Sequence, residues 1–97
     1  MLELPTVKIL RGKAHHLKPL VLVGQSGVTA GVLAALEEAL VCHELVKVRL
    51  RISDRNERKK AIFALADAVD AEIINQIGST VVLFRRNPES KKDWSRE

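Results

Sequence analysis

The sequence has few of the residues that build a disulfide framework, an aromatic binding surface or a membrane span. It contains one cysteine, Cys42, so no disulfide can form within the chain and no cysteine-rich metal site can be built. Its aromatic residues are two phenylalanines and one tryptophan, which disfavours a sheet that stacks bases on aromatic rings. Apolar runs are also short, and that of Leu20–Val23 stops at Gly24, so none approaches the length of a membrane span.

The size and charge of the chain allow a small nucleic-acid-binding domain. Its 97 residues, 46% of them hydrophobic, can close one compact core and are too few for two ordinary domains. Sixteen Lys and Arg against twelve Asp and Glu give a net charge of +4, which permits a nucleic-acid partner without requiring one. The start of the chain lacks the basic and apolar segments of a secretory signal, so we expect a cytoplasmic protein.

Hydrophobic periodicity and boundary residues predict the order helix, strand, helix, strand, helix, strand, strand. Thr6, Thr29 and Asp54 are the predicted helix caps, and Gly78-Ser79 suits a two-residue hairpin turn. The approximate bounds, in chain order, are 6–17, 20–23, 29–44, 45–52, 54–70, 72–77 and 80–86. Helical connections favour parallel strands and a hairpin makes antiparallel ones, so we expect a compact, layered α/β domain with a mixed four-stranded sheet.

Two elements combine apolar and basic positions. The first helix places an apolar stripe toward the core and a basic stripe one step round the helix, Lys8, Arg11, His15 and Lys18. The second strand alternates strictly, so Lys47, Arg49 and Arg51 point away from the core. The first strand, 20–23, is apolar throughout, which indicates burial on both faces. The last strand is also apolar on both faces over 81–84, so we expect the first helix to cover the sheet face opposite the other two helices.

A glycine loop joins the first strand to the second helix. Backbone N–H groups and the positive end of a helix dipole meet there, which is an anion site in outline. Gly24 and Gly27 leave room for a phosphate backbone, and Ser26 adds a hydroxyl donor. The GxxG spacing by itself fits an ordinary tight turn equally well. It lacks the third glycine or the lysine of nucleotide-binding loops, which disfavours mononucleotide chemistry.

Basic residues also crowd the start of the third helix, where the helix dipole disfavours cations. They are Arg55, Arg58, Lys59 and Lys60. An anionic partner would reverse this penalty, whereas Asp54 and Glu57 could equally compensate it locally and leave a solvated face. Together with the basic stripe of the first helix, this cluster favours a surface that follows a phosphodiester backbone.

The sequence gives little basis for catalysis or for a metal site. His15 and His16 are adjacent, and neighbouring helix positions point about 100° apart, so they do not readily share one ion. Cys42 and His43 diverge for the same reason and form no dyad. We expect no enzymatic activity, no metal and no cofactor.

Four segments together resemble the YhbY-like proteins, single-domain bacterial forms of the CRM (chloroplast RNA splicing and ribosome maturation) domain. They are LRGKAHHLKP at 10–19, VGQSGVT at 23–29, HELVKVR at 43–49, and IG with VLFR within 77–85. The likeness covers about residues 4–86, so we expect one CRM-type RNA-binding domain over 1–86 and a flexible tail over 87–97, which contains Trp94.

This resemblance implies a fold similar to the C-terminal domain of translation initiation factor three, and RNA binding on precursors of the large ribosomal subunit. It places the family's GxxG loop on residues 24–27 and its basic helix surface on Lys8, Arg11 and Lys18. Many relatives carry lysine or arginine inside the loop, where this chain has Gln25 and Ser26. Because of that difference, we expect RNA binding to depend more on backbone N–H donors and on the neighbouring helices than on charge within the loop.

The leading hypothesis is a non-enzymatic RNA-binding protein that docks structured ribosomal RNA during assembly of the large subunit. The residues expected to contact RNA are Lys8, Arg11, Lys18, Gly24, Gln25, Ser26, Gly27, Arg58 and Lys59. Two alternatives stay open: a small double-stranded DNA-binding protein of the chromatin type, and a protein-docking adaptor without affinity for nucleic acid. We expect a monomer that does not associate with membranes.

Overall fold

A computed structural model describes residues 4–89 of the chain, and the side chains from residue 6 onward. The predicted order of elements is confirmed. The helices and strands are α1 (Leu4–Ala14), β1 (Val21–Val23), α2 (Ala30–His43), β2 (Leu45–Leu50), α3 (Arg55–Ala68), β3 (Glu72–Ile77) and β4 (Thr80–Phe84). Trp94, and the predicted tail from residue 90, lie outside the described residues.

The four strands form the predicted mixed sheet, in the order β1-β2-β4-β3. β1 pairs in parallel with β2, because α2 carries the chain back across the sheet between them. The other two pairings are antiparallel. The β3–β4 hairpin turns at Gly78, whose φ of +58° suits glycine because it has no Cβ.

Two hydrophobic clusters lie on opposite faces of this sheet. The larger one joins α2 and α3 to one face, with Leu36 and Leu65 among its fully buried side chains. The smaller one joins α1, through Leu10 and Ala14, to the other face. Both faces of β4 are buried, since its alternate residues enter the two clusters in turn. The prediction that α1 lies opposite the other two helices is confirmed.

Two of the three predicted caps are present. The Thr29 hydroxyl accepts a hydrogen bond from the N–H of Val32 at 3.2 Å and starts α2. Asp54 Oδ1 accepts from the N–H groups of Asn56 and Glu57, at 2.8 and 3.0 Å, and starts α3. Such caps stabilise a helix by roughly 1 kcal/mol each because they satisfy N–H groups that lack an intrahelical acceptor.

The predicted bounds of the first helix are wrong at both ends. α1 already includes Leu4, so Thr6 lies within the helix and is not its cap. Pro5 is compatible with this earlier start because the first turn of a helix needs no N–H donor at that position. The helix stops at Ala14, after which the N–H groups of His15 and the next two residues bond three positions back in tight turns. Leu17 is consequently 36% exposed.

The prediction that the first strand is buried on both faces is also wrong. Val21 and Val23 are buried, but Leu20 and Leu22 are 55% and 50% exposed. β1 is an edge strand of the sheet. α1 packs on the other three strands, against side chains such as Leu45 of β2. The apolar run therefore reflects one buried face and one face that is about half exposed.

A buried glutamate ties the segment after β4 to the end of α2. Glu44 is 2% exposed, its carboxylate Oε2 accepts the N–H of Asn87 at 2.7 Å, and its carbonyl accepts the N–H of Arg85 at 2.9 Å. Asn87 also donates from its side-chain amide to the carbonyl of Val41 at 3.3 Å. The chain is therefore held at Asn87, and flexibility of the tail stays a prediction.

Candidate nucleic-acid interface

The glycine loop is a tight turn at the carboxyl end of β1. The N–H of Gly27 donates to the carbonyl of Gly24 at 3.0 Å, and Gly27 has a φ of +76°, which favours glycine. The conformation of Gly24 is unexceptional, and a Cβ there would meet no atom of the described residues within 4 Å. The left-handed backbone conformation of the turn thus explains Gly27, whereas Gly24 leaves the backbone open to an incoming molecule.

This loop forms one wall of a groove of about 450 Å³, and the first half of α3 forms the other. Gln25, Ser26 and Gly27 face Lys60 and Ala61 across it. Thr29 and Asp54, which start α2 and α3, lie at the same end of the sheet, because both helices follow the carboxyl ends of parallel strands. The positive ends of two helix dipoles therefore lie near this groove, which favours an anion.

The charge in the groove is mixed. Asp54 and Glu57 both line it, and Lys60 Nζ lies 3.5 Å from Glu57 Oε1. Asp54 is already engaged as the cap of α3, so its charge is offset by the N–H groups that it accepts. The local charge compensation expected as one alternative from the sequence is thus present, because Lys60 lies beside Glu57.

The two residues of α3 that were predicted to contact RNA differ in their exposure and in their hydrogen bonds. Lys59 is exposed. Arg58 is half-buried, and its Nη1 donates to the carbonyl of Ile52 at 3.1 Å. Its Nε is buried without a hydrogen-bond partner within the described chain. Arg58 therefore supports the turn between β2 and α3, and only part of its guanidinium remains for an outside ligand.

The cations of the first helix lie across the sheet from α3. Lys8 and Arg11 are exposed on α1, which packs on the face opposite α2 and α3. The prediction that Lys18 continues the basic stripe of this helix is wrong, because α1 ends at Ala14 and exposed Lys18 lies in the segment that joins α1 to β1. The structure brings Gln25, Ser26 and Gly27 together with α3 and does not bring these three cations into that groove. One molecule could touch both sets only by passing round an edge or an end of the sheet.

Two further cations adjoin the loop and were not among the predicted contacts. The N–H of Arg51 donates to the carbonyl of Val23 at 2.7 Å, which places exposed Arg51 beside the residue that precedes Gly24. Lys60 lines the groove itself. The outward alternation of β2 had indicated that Arg51 is exposed, but only the parallel pairing of β1 with β2 shows which loop it adjoins.

The clearest pKa shifts lie on α2 and just after β4, in an ion pair between Glu37 and Arg85. Arg85 donates from Nη1 to Glu37 Oε1 at 2.8 Å and from Nη2 to Oε2. These hydrogen bonds lower the pKa of Glu37 and raise that of Arg85. Arg85 Nη1 also donates to the carbonyl of Val69 at 3.0 Å, so the pair links α2 to the end of α3.

Within 6–89, no three His, Cys, Asp or Glu side chains lie close enough together to hold a metal ion. None of the helices in this part of the chain is long and apolar enough to cross a membrane.

Fold and site together define a small layered α/β domain with an accessible glycine loop at the start of its second helix. Residues 3–85 match the family model of the CRS1 / YhbY (CRM) domain. The chain belongs to this family, which confirms the resemblance noted in its sequence.

Proteins from three bacteria illustrate the relationship. A protein of Pseudomonas aeruginosa, named as a probable RNA-binding protein, is 38% identical over 88 residues, which are 91% of this chain and 85% of the relative. One of Haemophilus influenzae, named as an RNA-binding protein, is 42% identical over 84 residues, or 87% and 85% of the two chains. The solution structure of a hypothetical protein from Staphylococcus aureus superposes with a TM-score of 0.82 at 27% identity, covering 94% of this chain and 95% of the other.

Proposed function

We propose that this protein binds structured RNA through the groove between its glycine loop and α3. The observation that carries the proposal is the open backbone at Gly24, beside two helix starts, in a chain of the CRS1 / YhbY (CRM) family. The names of the relatives from P. aeruginosa and H. influenzae favour RNA over DNA or a protein partner.

In this proposal the loop receives the phosphate backbone of the RNA. Gly24 and Gly27 present no side chain, so phosphate oxygens can approach the loop amides. Gln25 and Ser26 donate hydrogen bonds, and exposed Lys59 supplies a positive charge from α3. Such contacts fix the position of an RNA but read little of its sequence, so recognition depends on RNA shape.

The same proposal extends to ribosomal RNA on precursors of the large subunit, bound by a cytoplasmic monomer that acts without catalysis. This finer statement follows from the family resemblance of the sequence. Lys8 and Arg11 of α1, with Lys18 in the segment that follows this helix, would then contact a second part of the RNA.

The loop is tested by replacing Gly24 and Gly27 together with Asp. Two carboxylates placed among the amides would repel phosphates, so affinity for ribosomal RNA should fall at least tenfold in fluorescence anisotropy. A matched control, Ala34→Asp with Ala35→Asp, adds the same charge at exposed positions of α2 and should bind like the unmodified protein. If both variants are folded by circular dichroism and bind equally well, the loop is not the interface.

Two measurements test the identity of the partner. Competition between ribosomal RNA and double-stranded DNA of equal length distinguishes an RNA-binding protein from one of the chromatin type. Crosslinking in cells, followed by sequencing of the attached RNA, tests the finer statement and should enrich large-subunit ribosomal sequences. Enrichment of unrelated RNAs would retain RNA binding and reject the ribosomal target.

A further inference from the structure

A second groove, of about 270 Å³, lies on the face of the sheet that packs against α1. The glycine loop does not line it. It is bounded on one side by the end of α1, through Arg11 and Ala14, and on the other by β2, β4 and β3. The strand register sets Lys47, Val82 and Asn75 side by side on those three strands. Neighbouring strands lie roughly 5 Å apart, so this row is about 10 Å long.

An irregularity in β3 turns Asn75 toward this groove. Ile73 pairs with Leu83 and Asn75 pairs with Val82, so Ile74 is an extra residue that has no partner on β4. Ile74 is buried in the cluster beneath α1, and Asn75 lines the groove on that same face. Strict alternation would instead have sent the residue after Ile74 to the opposite face. Bulges of this kind often re-aim a side chain beside a binding site.

The bulge also positions a cation. Arg11 Nε donates to the carbonyl of Ile74 at 3.2 Å, which holds the guanidinium at the rim of the groove. His15 and Lys47 line the same groove, and among the described residues no aspartate or glutamate does. Its electrostatics therefore differ from those of the loop groove, where Asp54 and Glu57 are present. A ligand with a negative charge is favoured here.

The interior of the groove combines an apolar floor with groups that can form hydrogen bonds. Val82 and Ala14 are buried and form the floor, with Ile77 at one side. The amide of Asn75 and the hydroxyl of Thr80 are half-buried and make no side-chain hydrogen bond within residues 6–89. The volume lies just below the roughly 300 Å³ at which drug-sized sites begin, so it suits one flat ring system and not an extended strand.

We propose that this groove binds a single unpaired nucleotide of the RNA that the protein docks on. The base lies on Val82 and presents its edge to Asn75 and Thr80, while its phosphate lies toward Lys47 and Arg11. Unpaired bases that are turned out of a stack are the usual targets of such readout, through guanidinium planes and amide hydrogen bonds. This inference rests on the proposed function, but it assigns a second site with different residues.

The test is an NMR titration of the full, ¹⁵N-labelled chain with AMP, GMP, CMP and UMP in turn. The amide resonances of Lys47, Asn75 and Thr80 should shift in a saturable way with at least one of the four. Asn75→Ala should then weaken the binding of that nucleotide roughly 2- to 10-fold, the range expected for one lost hydrogen bond. Gln76→Ala is the matched control, because Gln76 is exposed and pairs with Val81, whose side chain faces α2 and α3.

Each outcome decides between the two proposals. If no nucleotide shifts these resonances, or if Gln76→Ala weakens binding as much as Asn75→Ala, the second site is rejected. The proposed function then still stands, provided that ribosomal RNA binds and the double aspartate variant of the glycine loop does not. Saturable shifts that persist in that loop variant would show that the two sites are independent. If the unmodified chain binds no RNA at all, the proposed function fails and the inference fails with it.

Discussion

Replacing Lys8 and Lys18 with Ala should make RNA binding less sensitive to salt. Both side chains are exposed, Lys8 on α1 and Lys18 in the segment that follows it, whereas the loop groove is lined by α3. If the RNA follows both surfaces, each lysine neutralises a phosphate and releases bound counterions from it. If it follows only the loop groove, the two lysines contribute nothing to this release.

The expected change in salt dependence follows from the number of phosphates that the protein neutralises. About six neutralised phosphates give a slope of log affinity against log salt of roughly −4 to −5, at 0.7 to 0.9 for each contact. Removing two contacts should reduce the slope to about −3. Between 50 and 200 mM salt, the unmodified protein would then lose roughly 250- to 1,000-fold in affinity and the variant only about 60-fold.

The assay is fluorescence anisotropy with labelled ribosomal RNA at four or five salt concentrations. A charge-restored variant, which adds Glu38→Ala and Asp67→Ala at exposed positions, returns the net charge to that of the unmodified protein. Its slope should stay near −3, because local contacts and not total charge set the counterion release. An unchanged slope in the double lysine variant would refute the participation of these two cations.

Three further predictions concern stability. Leu36→Ala should lower the free energy of unfolding in urea by about 2–5 kcal/mol, because Leu36 is fully buried. Val41→Ala, at a half-exposed position of the same helix, should lower it far less. Equal losses would contradict the assigned core. Glu44→Ala should cost about 1–3 kcal/mol in the same assay, since it leaves the N–H that the carboxylate accepts without a partner, and a neutral result would reject that anchor. Glu37→Gln should lower the melting temperature at pH 7. Because Arg85 lowers the pKa of Glu37 in the folded state, this difference should shrink as pH falls through that pKa and vanish in acid; a difference that persists at pH 2 would refute the ion pair as its cause.

Local signals predicted most of the fold. Thr29 and Asp54 cap their helices because the hydroxyl and carboxylate bond to N–H groups two or three residues away, which needs no tertiary contact. The alternation of buried and exposed residues in β2 and the turn at Gly78 also depend only on residues close together in the sequence. The error at Thr6 is also local, because a second helix-starting signal, Pro5, precedes it.

The other features that were predicted wrongly or missed depend on which helices and strands become neighbours in the fold. Leu22 is as apolar as the core residues on either side of it, and only the edge position of β1 leaves it exposed. Arg51 lies beside the glycine loop because β2 pairs in parallel with β1, a contact between residues far apart in the chain. The bulge that turns Asn75 toward α1 likewise arises from pairing with β4.

The sequence by itself determined the order of elements, the basic stripes and the open loop, because these depend on periodicity, capping and composition over a few residues. Tertiary structure alone decided that Lys8 and Arg11 lie across the sheet from the loop groove, and that Lys47 and Asn75 share a second groove. The physical reason is that both arrangements follow from burying two apolar faces of one sheet at once, which no single segment of the chain encodes.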